Sequence, residues 1–357
     1  MPLNRVIRIA TRGSPLALAQ ADQVRSNLRA AFPAERFELE VLRTAGDGLQ
    51  AAAPAGSVEP LPAKGWFTKE LEVALLEGRA DLAVHSLKDL PTGLPDGLML
   101  AAICPRADVR EVLLYRDGAT VATQRDPLAE WSPGRRQRSG FGRGLRPEHL
   151  PAGAVVATGS SRRAALLKAL RPDLSVVPIR GNVGTRLGRL LQEDRIDATL
   201  LAAAGLARLR YELSPTGALR LDPRLGSAQR AGCEPPPAGI LGTILEPEAF
   251  LPAVGQGAVA LEVRRGDPEI GPIASVLDHF NTRQAVLAER AFLRAMGGGC
   301  RSPIAGYARV IGHRLHLRVA VFDDGVGRFA DDTAPVREAE RLGIGLAERL
   351  LAGGARD

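Results

Sequence analysis

The stretch that decides the fold is 154–209, AVVATGSSRRAALLKALRPDLSVVPIRGNVGTRLGRLLQEDRIDATLLAAAGLARL. It reads as strand, loop, helix, strand, loop, helix, strand: short apolar runs alternate with segments whose apolar residues recur at helical spacing. Strands joined by crossover helices build an α/β sheet, and such sheets bind ligands at the carboxyl ends of their strands. Those ends carry Thr158, Ser160, Arg162 and Arg163 after the first strand, and Arg180, Asn182, Thr185 and Arg186 after the second.

The N-terminal part has the same organisation. RVIRIATR (5–12) is a strand, and SPLALAQADQVRSNLRAAF (14–32) is a helix with Ser14 at its N-cap and Pro15 at its first position. FELEVLRTAGD (37–47) alternates like a strand. A Pro/Ala/Gly-rich stretch (51–63) follows, then the helix FTKELEVALLEGRA (67–80), with Thr68 as its cap, and the strand DLAVHSL (81–87). Two such units in series predict two lobes. A third unit, from about Phe280, opens with the helix TRQAVLAERAFLRAM (282–296) and a Gly-Gly-Gly-Cys loop; alternating strands (307–322) and a helix (338–352) follow. The segments 121–148 and 210–245 read as insertions, solvated and flexible.

At 357 residues the chain exceeds one ordinary core, and 45% hydrophobic with 24% charged residues is a soluble globular composition. The net charge of +7 is concentrated: five arginines and no acid lie between Trp131 and Pro147, leaving +2 for the rest. With only 4% aromatic residues the chain lacks the stacking platforms of single-strand binders, so no nucleic-acid partner is expected. No apolar run is long enough to span a bilayer, and no secretion signal is visible. Cys104, Cys233 and Cys300 are far apart, which predicts a reducing cytoplasm and neither disulfides nor a zinc site. GQGAVA (255–260) has the letters of a dinucleotide fingerprint, but FLPAV precedes it instead of a clean strand.

The recurrence of arginines at strand ends is the chemical signal. Guanidinium forks suit carboxylates or phosphates, so the residues point to a site for several anionic groups. Arg12 and Ser14 follow the first strand of the chain, and Lys88 and Asp89 follow DLAVHS. An acid among cations stays ionised, which suits Asp89 to binding N–H donors or stabilising a developing positive charge. Cys300 after three glycines is either a small thiol closing a turn or a thiol on a loop that something approaches closely. On residues alone, an anion-binding solute receptor remains an alternative to an enzyme.

Six stretches then carry a resemblance: RIATRGSPLALAQA (8–21), KGWFTKELEVALLEGRADLAVHSLKDLPT (64–92), IRGNVGTRLGRL (179–190), DATLLAAAGLARL (197–209), LPAVGQGAVALEVR (251–264) and ERAFLRAMGGGCRSPIAGYA (289–308). In this order they resemble the porphobilinogen deaminase (hydroxymethylbilane synthase) family. The resemblance implies two periplasmic-binding-protein-like α/β lobes with mixed, mainly parallel sheets and crossover hinges, plus a smaller α+β C-terminal domain. The implied domains are 1–105 with about 256–276, 106–255, and 277–357.

It also implies a transferase that condenses four porphobilinogen molecules head to tail, with loss of ammonia, and releases linear hydroxymethylbilane by hydrolysis. The implied cofactor is a dipyrromethane, two substrate units held by a thioether at Cys300. Asp89 takes the catalytic role; Lys88, Thr158, Ser160, Arg162, Arg163 and Arg186, with Asp89, hold the cofactor. Arg12, Ser14, Gln20, Lys64, Arg180 and Arg208 bind substrate, Gln256 lies at the hinge, no metal takes part, and the protein is a monomer. The chain departs from the family pattern in its lysine-poor, proline-rich lid (51–63), in Gly159-Ser160-Ser161-Arg162-Arg163 where SSLRR is common, and in Gly297 where an acid is common.

Overall fold

β1 (Val6–Arg12) forms because Ile7, Ile9 and Ala10 enter the interior, and it stops at Gly13 where Ser14 and Pro15 start α1 (Pro15–Ala31). The Ser14 hydroxyl accepts from the Ala17 amide (3.3 Å), as its N-cap position predicts. β2 (Arg36–Leu42) returns parallel to β1, and α2 (Lys69–Leu76), β3 (Leu82–Ser86) and β4 (Leu98–Ile103) follow. Thr68 stands at the N-cap of α2 but its side chain makes no capping bond, a difference from the sequence reading; its hydroxyl is turned into the interior. The computed structural model describes residues 3, 5–44, 68–123, 139–299, 302–323 and 326–353.

The chain divides into two compact units, one of Met1–Asp108, Pro252–Val321 and Arg328–Asp357, the other of Val109–Leu251 and Phe322–Gly327. The second unit begins with β5 (Glu111–Arg116) and α3 (Gly118–Thr123), then runs β6 (Val155–Ala157), α4 (Ser161–Leu170), β7 (Ser175–Val177), α5 (Val183–Gln192), β8 (Ala198–Ala202) and α6 (Ala203–Arg208). From β6 to β8 this is the strand and helix order read from 154–209; α6, which follows β8, is a short helix that the reading did not contain. Its sheet has the order β11-β5-β8-β6-β7, in which only β5 runs against the other four strands.

One insertion is not the open excursion expected. Segment 210–245 holds the hairpin β9 (Tyr211–Leu213) and β10 (Leu219–Leu221), α7 (Ser227–Ala231) and β11 (Ile240–Leu245). β11 is the edge strand of the sheet, paired antiparallel to β5 from Ile240↔Arg116 to Leu245↔Glu111. Its partner lies more than a hundred residues away, so no local pattern announces the pairing. In the other insertion, Phe141 forms a bridge with Asp117 and sets its ring edge-on to Tyr115 at 6.1 Å.

The first unit is completed by β12 (Val259–Arg264), α8 (Ile270–Ser275), α9 (Phe280–Ala295), β13 (Ile304–Ile311), β14 (Arg314–Asp323), β15 (Val326–Pro335) and α10 (Ala339–Leu351), apart from the adjoining ends of β14 and β15 within Phe322–Gly327. β12 inserts between β3 and β4, giving the order β2-β1-β3-β12-β4; again one strand opposes four. Its core joins Ile7, Ile9, Leu28, Phe37, Leu82 and Leu261. β13, β14 and β15 make a separate three-stranded sheet whose Leu315, Leu317 and Val319 pack on Phe292 of α9 and Leu346 of α10. The fold is thus mixed α/β with two mainly parallel sheets and a smaller C-terminal α+β part.

Candidate functional site

In the first unit the polar residues collect where β1 and β3, neighbours in the sheet, end side by side. Arg12 closes β1, and β3 passes through Ser86 into a 3₁₀ turn, Leu87–Asp89. Gln20, buried one turn into α1, exchanges hydrogen bonds with the Ser86 hydroxyl (2.9 and 3.0 Å) and so ties the helix to that strand end. Lys88 is half-buried and donates to Gln256 Oε1 (3.3 Å), while Asp89 is exposed. Gln256 itself is 0% exposed, and its carbonyl accepts from Arg106 Nε (2.8 Å). The structure therefore brings Arg12, Ser14, Gln20, Lys88, Asp89 and Gln256 to one end of one sheet.

In the second unit the equivalent ends are those of β6 and β7. The Thr158 hydroxyl accepts from the Ser160 amide (3.2 Å), and Ser160 caps α4 by accepting from the Arg163 amide (3.4 Å). Asn182 caps α5, and Arg186 Nε donates to the Gly181 carbonyl (2.8 Å). Arg180 precedes that cap and Arg208 ends α6; both are half-buried.

Arg162 and Arg163 have a partner the sequence did not announce. Glu111, 0% exposed at the start of β5, takes Arg162 Nη2 on one oxygen (2.5 Å) and Arg163 Nη2 on the other (2.7 Å). Arg162 Nη1 also reaches the Leu251 carbonyl (2.6 Å) and Arg163 Nη1 the Leu200 carbonyl (2.8 Å). Burial pushes the Arg162 guanidinium below its ordinary value, Glu111 opposes that shift, and Arg163 adds to it. One carboxylate against two guanidinium groups leaves one net positive charge. Both Nε–H groups lack an acceptor among the described residues, so each fork keeps a donor edge unspent.

Against this geometry stand two family models and one close relative. The model described as porphobilinogen deaminase, dipyromethane cofactor binding domain, matches residues 7–271, and that described as porphobilinogen deaminase, C-terminal domain, matches 283–352. A protein of Desulforudis audaxviator (strain MP104C) named porphobilinogen deaminase is 41% identical over 355 residues, covering 99% of this chain and 96% of that one. The chain belongs to the porphobilinogen deaminase family. Porphobilinogen deaminases are transferases, and the cofactor-binding model spans both sheets described above together with both insertions. Among solved structures, YhfZ from Shigella flexneri is 13% identical at a TM-score of 0.34, over 81% of this chain and 90% of that one. The periplasmic aliphatic sulphonate binding protein SsuA from Escherichia coli, also 13% identical at 0.34, is matched over 83% of this chain and 70% of that one.

The donor set suits the family's cofactor, whose acetate and propionate groups need cations and N–H donors: the unspent Nε–H edges of Arg162 and Arg163 are of that kind. Two residues expected in a porphobilinogen deaminase site, Cys300 and Lys64, lie outside the described residues, as does the lid 51–63. The approach to Cys300 is described as far as Gly299. Gly297 adopts φ +65°, its amide donating to the Arg294 carbonyl, and the Gly298 amide donates to the Leu293 carbonyl, so the helix terminates in a left-handed turn. A Cβ on Gly298 would sit 2.7 Å from both Leu293 and Ile304 side chains. Gly297 is thus demanded by helix termination and Gly298 by close packing before any demand of the thiol, whereas a Cβ on Gly299 would meet nothing.

Sequence reasoning missed the residues that hold the first-unit site in place. Glu289 of α9, 0% exposed, accepts at Oε1 from Arg106 Nη1 (2.6 Å) and the Ala308 amide (2.7 Å), and at Oε2 from Arg106 Nη2 (3.0 Å) and the Gly255 amide (2.7 Å). Arg106 also lies over the Tyr307 ring, 5.4 Å from its centroid. Gly257, at φ +84°, brings its backbone so near that a Cβ would stand 2.5 Å from the Ala107 carbonyl oxygen. The available signal was an acid on the apolar stripe of α9, between Ala285, Ala288 and Phe292. Among the described residues no cluster of metal-binding side chains occurs, and no helix is long and apolar enough to cross a membrane.

Proposed function

We propose that this chain condenses four porphobilinogen molecules head to tail onto a dipyrromethane bound through a thioether at Cys300, and then releases hydroxymethylbilane by hydrolysis. The reading is carried by the placement of Asp89: an exposed carboxylate on a pinned turn at the carboxyl end of β3, beside half-buried Lys88. A fixed negative charge there stabilises positive charge developing on a substrate pyrrole nitrogen as ammonia departs, and it holds the protons exchanged in that step. Arg12 and Ser14, at the same sheet end, suit the substrate carboxylates, with Gln20 setting the strand end and Lys64 contributing from the lid. Thr158, Ser160, Arg162, Arg163 and Arg186 are the groups for the cofactor carboxylates, and Arg180 and Arg208 extend the cationic surface to the growing chain. When bound, the dipyrromethane supplies the pyrrole to which the first substrate is joined.

The domain reading that goes with this is 1–105 with 256–276, 106–255, and 277–357, with Gln256 at the crossover. The protein acts as a cytoplasmic monomer without metal or nucleic acid. The deciding experiment is the intact mass of the denatured protein beside its Cys300→Ser variant. A covalent excess of two porphobilinogen units less two ammonias, absent from the variant, is expected. An unmodified mass that persists after adding porphobilinogen or hydroxymethylbilane returns the chain to the anion-binding reading.

A further inference from the structure

The turn that presents Asp89 is held from α9, the helix that opens the C-terminal part. Leu87 and Leu90, on either side of Lys88 and Asp89, are buried in a cluster with Val286 of α9 and Ala258 and Ala260. One helical turn beyond Val286, Arg290 is 8% exposed and donates from Nη1 to the Leu90 carbonyl (3.2 Å) and from Nη2 to the Pro91 carbonyl (2.6 Å). Leu90 has left the 3₁₀ turn for an extended conformation (φ −87°, ψ 129°), where its carbonyl has no helical partner to accept from. The planar fork of an arginine can bridge two successive carbonyls, whereas a lysine ammonium cannot match that spacing with the same rigidity. From the same helix face, apolar packing thus acts on Leu87 and Leu90 and a charged clamp on Leu90 and Pro91, the two residues that follow the acid.

The preceding residue of α9, Glu289, holds the Gly255 amide next to Gln256, and Gln256 holds Lys88. The helix runs to Ala295, five residues before Cys300 in sequence. We infer that Arg290 is a positioning residue for Asp89, placing the acid from the element that leads into the anchoring loop. This rests on the reading of Asp89 given above. Its purpose is geometric: the acid takes its position from a helix of the C-terminal part, so that small shifts of that part reach it and are not lost in an independent loop.

The test uses the full-length, cofactor-loaded protein and compares Arg290→Lys, Arg290→Gln and Asp89→Asn. For Arg290→Lys the expected result is the wild-type adduct mass, an unchanged KM and a kcat lower by about 10- to 100-fold, the range that a displacement near 1 Å produces. Amide exchange at Leu87 and Leu90 should quicken relative to the β1 and β12 amides. Arg290→Gln, which keeps an uncharged donor, should behave the same way, and it stands in if the lysine variant does not accumulate. A wild-type kcat per loaded molecule, with only a lowered melting temperature, overturns the positioning role. So does loss of the adduct mass, which would place Arg290 in cofactor assembly instead. Full turnover by Asp89→Asn removes the reading of the acid, and with it this inference. An inactive Asp89→Asn beside a fully active Arg290→Lys removes the inference alone.

Discussion

Replacing Glu289 by glutamine tests how the first unit is held together, because the change removes one charge and almost no volume. Each carboxylate oxygen accepts from one Arg106 nitrogen and one backbone amide, so either orientation of the new side chain sets its NH₂ against two N–H donors. The Arg106 side chain is 11% exposed and Glu289 0%, so solvent does not take over the lost bonds. Breaking a buried pair from one side costs about 3–5 kcal/mol, the larger part being the charge left behind. Each orphaned buried donor costs about 1–3 kcal/mol, a cost that overlaps the first and is not added to it. A total of about 3–5 kcal/mol is a large share of an ordinary domain stability of about 5–15 kcal/mol. At about 2–4 °C per kcal/mol, the first-unit transition should fall by roughly 6–20 °C. Urea unfolding followed by amide exchange at Gly255 and Ala308 would assign the loss to this unit. A double-mutant cycle with Arg106→Gln supplies the refutation: a coupling below about 0.5 kcal/mol would mean that the two side chains act independently.

Two further substitutions in one helix should have opposite signs. A Cβ on Gly343 of α10 would fall on the Ala288 carbonyl oxygen and 2.8 Å from the Phe292 nitrogen, whereas one on Gly345 meets nothing. Gly343→Ala should destabilise by about 1–3 kcal/mol through overpacking, and Gly345→Ala should stabilise by up to about 1 kcal/mol through helix propensity; equal effects in thermal melts would contradict the close α9–α10 packing. Glu72, buried on α2, has its carboxyl held above the usual carboxylate range chiefly by burial, with Glu262 reinforcing the shift and Thr68 and His85 opposing it. The folded state therefore keeps that proton longer than the unfolded state, so its contribution lowers stability as pH rises from the ordinary carboxylate value through the raised one, then levels off. Glu72→Gln should gain on the wild type across that window, and a stability difference independent of pH would rule the argument out.

Much of the fold was legible because its signals are local. The N-cap Ser14, the helical spacing of α1, α4 and α5, and the apolar runs of β6 and β8 all depend on neighbours within a few residues. The reversed strands β5 and β12 and the edge strands β4 and β11 do not announce themselves in this way. β11 in particular lies in a segment that reads as an insertion, because its status as a strand depends on pairing with β5. Thr68 shows the same limit in miniature, since a residue of the right type at a helix start turned its hydroxyl inward.

The sequence by itself determined the order of strands and helices, the collection of hydroxyls and cations at strand ends, and the membership that six ordered motifs imply. Only the tertiary structure decided what those charges meet. Glu111 reaches Arg162 across 51 residues, Arg106 reaches Glu289 across 183, and Arg290 reaches Leu90 across 200. Backbone periodicity follows from sterics between adjacent residues, and so it can be read along the chain. The partner of a buried charge is chosen by which groups the completed packing removes from water together, and that choice exists only once the sheets and helices have assembled.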